Sequence, residues 1–334
     1  MIAPRVVFVT DAGGEAGLGH FKRCAALARA LGARGCTIDA LVAGPRDAGL
    51  AAVAPGWAVT PLDWWGTAVR VLQAAGARPV DVFVVDSYHA DATLLATLRR
   101  AALVVAIDDL ADRPLPVDAV VNGAWHAERL AYRVDADTLR LLGPRFALLE
   151  RAFAEPPARV TAERAGRVLV TLGGSTPASE IAAAVAAVRA ALPEARLDVP
   201  GGLLSLDAVA APGVTLHGAV PSLRPLLLTA DLAVTAGGMT LYECLATGTP
   251  TVAVCLADNQ RPNLEHLGAA GLVVTADFAT LGDAVARLAG DRARRERLSA
   301  AGRRAIDGSG AERVADEIAR LLAARRARPV GAAR

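Results

Sequence analysis

ADLAVTAGGMTLYECLATGTPT, residues 230–251, holds a strand, a Gly-Gly turn, a helix and the next strand in one window. Asp231–Thr235 is a short apolar run of strand length, and Gly237 and Gly238 interrupt it. Thr240–Thr247 then carries helical periodicity, and Thr251–Cys255 is apolar again. Strands that are apolar along their whole length are buried on both faces, which requires a parallel sheet covered by helices.

The same alternation extends in both directions. Before the window it predicts strands over Arg167–Leu172, Arg196–Val199 and Val214–His217, with helices over Ala178–Ala191 and Ser222–Leu228. After it come a helix over Asn263–Ala270 and a strand over Leu272–Thr275. Helices over Leu281–Ala289, Ala293–Ile306 and Ala311–Ala324 follow. The first half reads alike. Strands are expected at Val6–Thr10, Thr37–Ala43, near Val59, Val80–Asp86, Val104–Asp108 and Ala119–Asn122, the last two closing that half. Helical stretches are expected at His20–Leu31, Ala51–Ala54, Thr67–Ala75 and Ala92–Ala102. A Pro-containing, aperiodic stretch at 156–166 separates the halves. The reading is therefore α/β, with two doubly wound domains at 1–155 and 167–325 and a basic tail at 326–334. In such sheets ligands bind beyond the C-terminal strand ends, where loops lead into helices.

Composition supports this and excludes other classes. A length of 334 residues suits two domains. Hydrophobic residues make up 53%, too many for a disordered chain, and the net charge of +2 gives no electrostatic footprint for nucleic acid. No window offers about 18 uninterrupted apolar residues, so no membrane insertion is expected. Cys24, Cys36, Cys244 and Cys255 show no CxxC pairing and read as free thiols. With no signal-peptide pattern at the start, a cytoplasmic protein is expected. Oligomeric state stays open.

Four turns carry candidate chemistry. TDAGGEAGLGHFKR, residues 10–23, places Gly13, Gly14, Gly17 and Gly19 before a helix that begins near His20. Glycines let a ligand approach the backbone, and a helix start favours anions. His20 is either a general base or phosphate ligand, or a capping residue. Asp86 and Tyr88 end the fourth strand, where they either meet a sugar or serve the next helix; Asp91, Asp108 and Asp109 share that ambiguity. Gly173 and Gly174 form a second Gly-Gly turn, with Ser175 or Thr176 a plausible cap. In the opening window, Gly237 and Gly238 offer amides to a diphosphate and Thr240 a hydroxyl. Glu243 makes sense as an acceptor for ribose hydroxyls, since a carboxylate repels phosphate. Asn259 and Gln260 follow a buried strand, where paired amides either clamp a diphosphate or hold a water, or simply form a turn. The remaining histidines show no metal-ligand spacing, and no cofactor is expected.

Taken together, GLGHFKRC at 17–24, DSY at 86–88, IDD at 107–109, TLGG at 171–174, AGGMTLYEC at 236–244 and DNQ at 258–260 resemble one family. It is that of the nucleotide-sugar hydrolases of pseudaminic acid synthesis and related spore-coat polysaccharide proteins. Its members remove UDP from a diacetamido-trideoxy sugar. The second half also resembles the nucleotide-binding domain of the transferase that adds GlcNAc to peptidoglycan lipid precursors. The resemblance implies a GT-B-like fold, two Rossmann-like domains facing a central cleft, with a UDP-sugar as substrate. It makes His20 and Asn259 the pair that activates water. Gly19, Gly173, Gly174, Gly237, Gly238, Thr240, Glu243 and Gln260 become the nucleotide side, and Asp11, Asp86 and Tyr88 the sugar side. Val9 replaces the family's Arg and Ser175 its Asp, so the sugar is unassigned. An inverting transferase, in which the same His deprotonates an acceptor, is the alternative. A membrane-bound acceptor would favour an apolar-basic patch, and the exposed-looking Trp64–Trp65 pair lacks basic residues on its N-terminal side.

Overall fold

The computed structural model describes residues 3–13, 18–44, 57–174, 176–201, 209–218 and 220–327. Among them the first half contains β1 (Arg5–Asp11), α1 (Gly19–Gly32), β2 (Thr37–Ala43), β3 (Ala58–Pro61) and α2 (Ala68–Ala75). It continues through β4 (Val82–Asp86), α3 (Ala92–Ala101), β5 (Leu103–Ile107), β6 (Ala119–Asn122) and β7 (Leu139–Leu142). All pair in parallel in the order β3-β2-β1-β4-β5-β6-β7.

The second half runs β8 (Arg167–Thr171), α4 (Ala178–Ala191), β9 (Arg196–Pro200), β10 (Val214–His217), α5 (Arg224–Thr229) and β11 (Leu232–Ala236). Then come α6 (Met239–Thr247), β12 (Thr251–Val254), α7 (Arg261–Ala269), β13 (Val274–Ala276), α8 (Leu281–Gly290) and α9 (Arg292–Ala305). Its strand order is β10-β9-β8-β11-β12-β13. Both sheets reverse direction between their first and fourth strands, so the loops after β1, β4, β8 and β11 converge at two switch points. These loops include the glycine turns read from the sequence.

Each sheet is covered on both faces. Val6, Phe8, Val82 and Val84 point to the core under α1, whereas Val7, Val9, Phe83 and Val85 point to the opposite core with Leu94 and Leu98. That period of two is why these strands carry no polar face. Val9 therefore lies in the hydrophobic core, fully buried.

Three features differ from the sequence reading. β7 adds a strand beyond β6; its run LRLL is partly exposed and lacks the continuous apolar character that marks the others. Trp64 is fully buried, its indole N–H donating to the Thr10 carbonyl at 3.3 Å, and Trp65 alone of the pair is exposed. The last helix, α10 (Gly310–Ala327), leaves the second half and returns to the first, where Val314, Ala315, Ile318 and Leu322 join the core beside α1. Its apolar stripe demands a partner surface, and periodicity alone does not say which half supplies it. The expected helix at Ala51–Ala54, Gly14, Gly17, Ser175 and tail residues 328–334 lie outside the described residues. No described helix is long and apolar enough to cross a membrane.

The return of α10 rests on one close approach. A Cβ on Gly310 would lie 2.2 Å from the Ala147 carbonyl oxygen and 2.7 Å from its nitrogen. Backbone atoms cannot yield as a flexible side chain would, so Gly310→Ala is expected to destabilise the protein by about 3 kcal/mol. Urea denaturation measures this; an unchanged midpoint would show that the helix does not dock as described.

Candidate functional site

The first wall of the site is built by the start of α1 and the ends of β4 and β5. His20 and Arg23 are three residues apart and so share one helical face, turned toward the sheet edge. Asp86, the last residue of β4, is completely buried. One of its oxygens accepts from His20 Nδ1 at 2.6 Å and from Arg23 Nη2 at 2.6 Å, and the other from Arg23 Nε at 2.6 Å. Burial alone would raise this carboxyl, but Arg23 and His20 reverse the effect and hold it well below the carboxylate range. Arg23 reaches onward to both oxygens of Asp109, at 2.9 and 2.8 Å. Asp109 accepts from the Tyr88 hydroxyl at 3.2 Å, and the Tyr88 ring stands edge-on to His20 at 4.8 Å. Partial burial and the Asp109 carboxylate push the Tyr88 phenol above the usual tyrosine range, so it stays protonated. With Nδ1 committed to Asp86, Nε2 is the His20 nitrogen left to accept a proton.

The second wall is the β11–α6 corner. Gly238 precedes α6 without a side-chain cap, so the first amides of the helix are open to an anion at its positive end. Glu243 sits one turn further along α6, with its Oε2 buried and unpaired. Burial pushes its carboxyl up to about 7, against the opposing charge of Lys22 from the first half. A carboxyl with an unsatisfied buried oxygen is poised to meet hydroxyl donors.

Between the two walls lies a cavity of about 370 Å³, whose lining does not include His20, Asp86, Tyr88 or Asn259. Gly19, Lys22 and Arg23 line it from the first half, and Gly173, Gly174, Gly238, Thr240, Glu243 and Gln260 from the second. Several contacts hold the halves in this arrangement. Asn259 Nδ2 donates to the Tyr88 hydroxyl at 3.4 Å, beside His20. The Trp125 amide donates to the Tyr242 hydroxyl at 2.7 Å; Tyr242 in turn donates to Asn263 Oδ1 at 2.7 Å. His126 and His266 stack across the same boundary at 5.6 Å.

The placement of the expected residues is uneven. His20, Asn259 and Tyr88 cluster together, and Gly19, Gly173, Gly174, Gly238, Thr240, Glu243 and Gln260 share the cavity wall. Asp86 does not face a sugar, because both of its oxygens are consumed by His20 and Arg23 inside the protein. Nor does Asp11, which is 4% exposed. Its carboxylate receives the Trp65 indole N–H at 2.8 Å and the Ser87 hydroxyl, tying together the loops after β1, β3 and β4. Gly237 is not an open amide: its N–H donates to Gln260 Oε1 at 3.2 Å, which also takes the Leu256 N–H at 3.2 Å. That oxygen of Gln260 fastens two loops and does not face a diphosphate.

The capping alternatives also resolve. Asp91 caps α3, accepting from the Leu94 amide at 2.7 Å, and Asp108 closes a local turn through the amides of Leu110 and Ala111. Thr176 bonds back to the Leu172 carbonyl. Sequence reasoning overlooked Arg23 and Lys22. The helical spacing of Arg23 from His20 was the available signal.

These features can be set beside known proteins. No family model matches the chain. The chain is 26% identical over 323 residues to the spore coat polysaccharide biosynthesis protein SpsG of Bacillus subtilis (strain 168), covering 91% of this chain and 94% of that one. The solved kitacinnamycin glycosyltransferase is 23% identical, with a TM-score of 0.66, covering 96% of this chain and all of that one (100%). S. aureus MnaA, solved with UDP, is 13% identical, with a TM-score of 0.67 and coverage of 98% and 99%. The fold is that of the GT-B glycosyltransferases: two Rossmann-like domains of parallel sheet and helix.

Proposed function

We propose that the chain is a metal-independent, inverting GT-B glycosyltransferase that uses a UDP-linked sugar as donor. The observation that carries this reading is the His20–Asp86 pair standing beside a cavity whose far wall is the uncapped start of α6. A buried carboxylate on Nδ1 orients the ring and leaves Nε2 as the general base for an acceptor hydroxyl. The acceptor oxygen attacks the anomeric carbon as Nε2 takes its proton. The bond from that carbon to the diphosphate oxygen breaks, and UDP leaves. Charge developing on the diphosphate is met by the amides at Gly238–Thr240 and the dipole of α6. Glu243 takes the ribose hydroxyls. The similarity to glycosyltransferase structures and to a polysaccharide biosynthesis protein supports this choice. Four free cysteines suit a reducing, cytoplasmic setting.

Hydrolysis of the same donor is the second reading. It is favoured by the Asn259–Tyr88 hydrogen bond, which draws the halves together beside His20 and suits a nucleophile as small as water. Release of UDP from a panel of UDP-sugars, with and without glycan acceptors, separates the two. Transfer requires UDP release to depend on the acceptor. Equal release without one establishes hydrolysis, and binding of UDP with no turnover of any donor rejects both.

A further inference from the structure

Of the chain's 36 Lys and Arg residues, Lys22 is the only lysine. It lines the cavity from α1, two residues beyond His20, whereas Arg23 beside it is locked onto Asp86 and Asp109. The Lys22 ammonium forms no hydrogen bond or ion pair among the described residues. Its charge acts instead on Glu243 across the cavity, whose Oε2 is buried and has no hydrogen-bond donor. Two complementary groups, one from each half, thus face the same space without satisfying one another.

The chemistry of the two cations differs. A guanidinium is a planar fork suited to fixed carboxylates, which is how Arg23 is used. An ammonium is a compact charge on a flexible stem, suited to leaving one anion for another. Of the carboxylates in the wall, Glu150 is already paired with Arg29 at 2.9 Å. Among the described residues, Lys22 is therefore the one cation in the cavity wall not committed to a carboxylate by hydrogen bonding.

We propose that Lys22 is the first half's contact to the donor diphosphate, its ammonium meeting a phosphoryl oxygen while Glu243 takes the ribose hydroxyls. The inference rests on the nucleotide-sugar reading above and extends it. Nucleoside and diphosphate recognition are thereby shared between the halves, and the second-half ligand acquires a hold on the first half.

A solitary lysine makes the test direct. The full chain is reductively methylated, and modification of Lys22 is followed by peptide mass spectrometry with the N-terminal amine as reference, in the presence of UDP, dTDP or uridine. In parallel, calorimetry compares the wild type with Lys22→Met. The diphosphates are expected to slow methylation of Lys22, and uridine is not. Lys22→Met is expected to weaken diphosphate binding by about ten- to a hundredfold and leave uridine binding unchanged. Diphosphates that bind the wild type yet leave Lys22 equally reactive, or bind Lys22→Met with wild-type affinity, overturn the inference alone. If neither diphosphate binds the wild type, the nucleotide reading falls and this one falls with it.

Discussion

His20→Ala is expected to lower turnover of a UDP-sugar by about a hundred- to ten-thousandfold, while affinity for UDP changes little. The split follows from geometry. His20 belongs to a cluster with Asp86, Arg23 and Tyr88, whereas the anion-binding amides lie on α6 in the other half. Removing the imidazole therefore removes the proton acceptor and leaves the nucleotide side standing. Asp86→Asn is the sharper companion. It keeps the shape of the side chain but loses the carboxylate that fixes Nδ1, and its amide can hold His20 in the wrong tautomer; a loss of up to about ten-thousandfold is expected. Steady-state kinetics with UDP release as the signal measures both. Wild-type turnover in His20→Ala would remove His20 from the chemistry, and in Asp86→Asn it would remove the buried carboxylate's part in positioning it.

The second large effect concerns stability. Arg23→Met is expected to destabilise the fold by about 3–5 kcal/mol at neutral pH, because it strands the fully buried Asp86 and leaves Asp109 without its cation. The dependence on pH gives this prediction its direction. In the wild type, the Asp86 carboxyl is held below its unfolded value, so the native state binds fewer protons. The stabilisation is whole above about pH 4 and drains away as the pH falls further, through the folded value. In the variant mainly the His20 hydrogen bond is left against burial, so the carboxyl is expected to rise above its unfolded value and the native state to bind more protons. The variant therefore recovers stability as the pH falls from 7 toward about 4, and the gap to the wild type narrows. Urea melts of both proteins at the two ends of that range test this. A deficit that stays constant with pH would mean that Arg23 supports the structure by packing alone.

Much of this protein is legible in its sequence because backbone preference and burial repeat locally. The uninterrupted valine-rich strands and the intervening helices specify two parallel sheets without reference to distant residues, and glycines at the strand ends mark the switch points. The same rule, that ligands gather there, singles out His20, Gly238, Thr240 and Glu243 as candidates, and the folded chain brings the last three to one cavity with Lys22 and Arg23. What local pattern cannot encode is the direction a polar side chain takes once its strand ends. Asp11, Asp86 and Gln260 all stand where a ligand could be met, and all three are engaged by other parts of the chain.

Tertiary structure alone decided those partnerships. Arg23 meets Asp86 across 63 residues and Asp109 across 86, separations that leave no trace in any periodicity. It also decided that α10 packs against the first half and that Val9 points into a core. The sequence by itself determined most of the segments that become strand, turn and helix, β7 excepted, since each choice depends on neighbours a few residues away. Which carboxylate remains open to a ligand was settled only when the folded chain brought distant cations and amides within hydrogen-bonding reach.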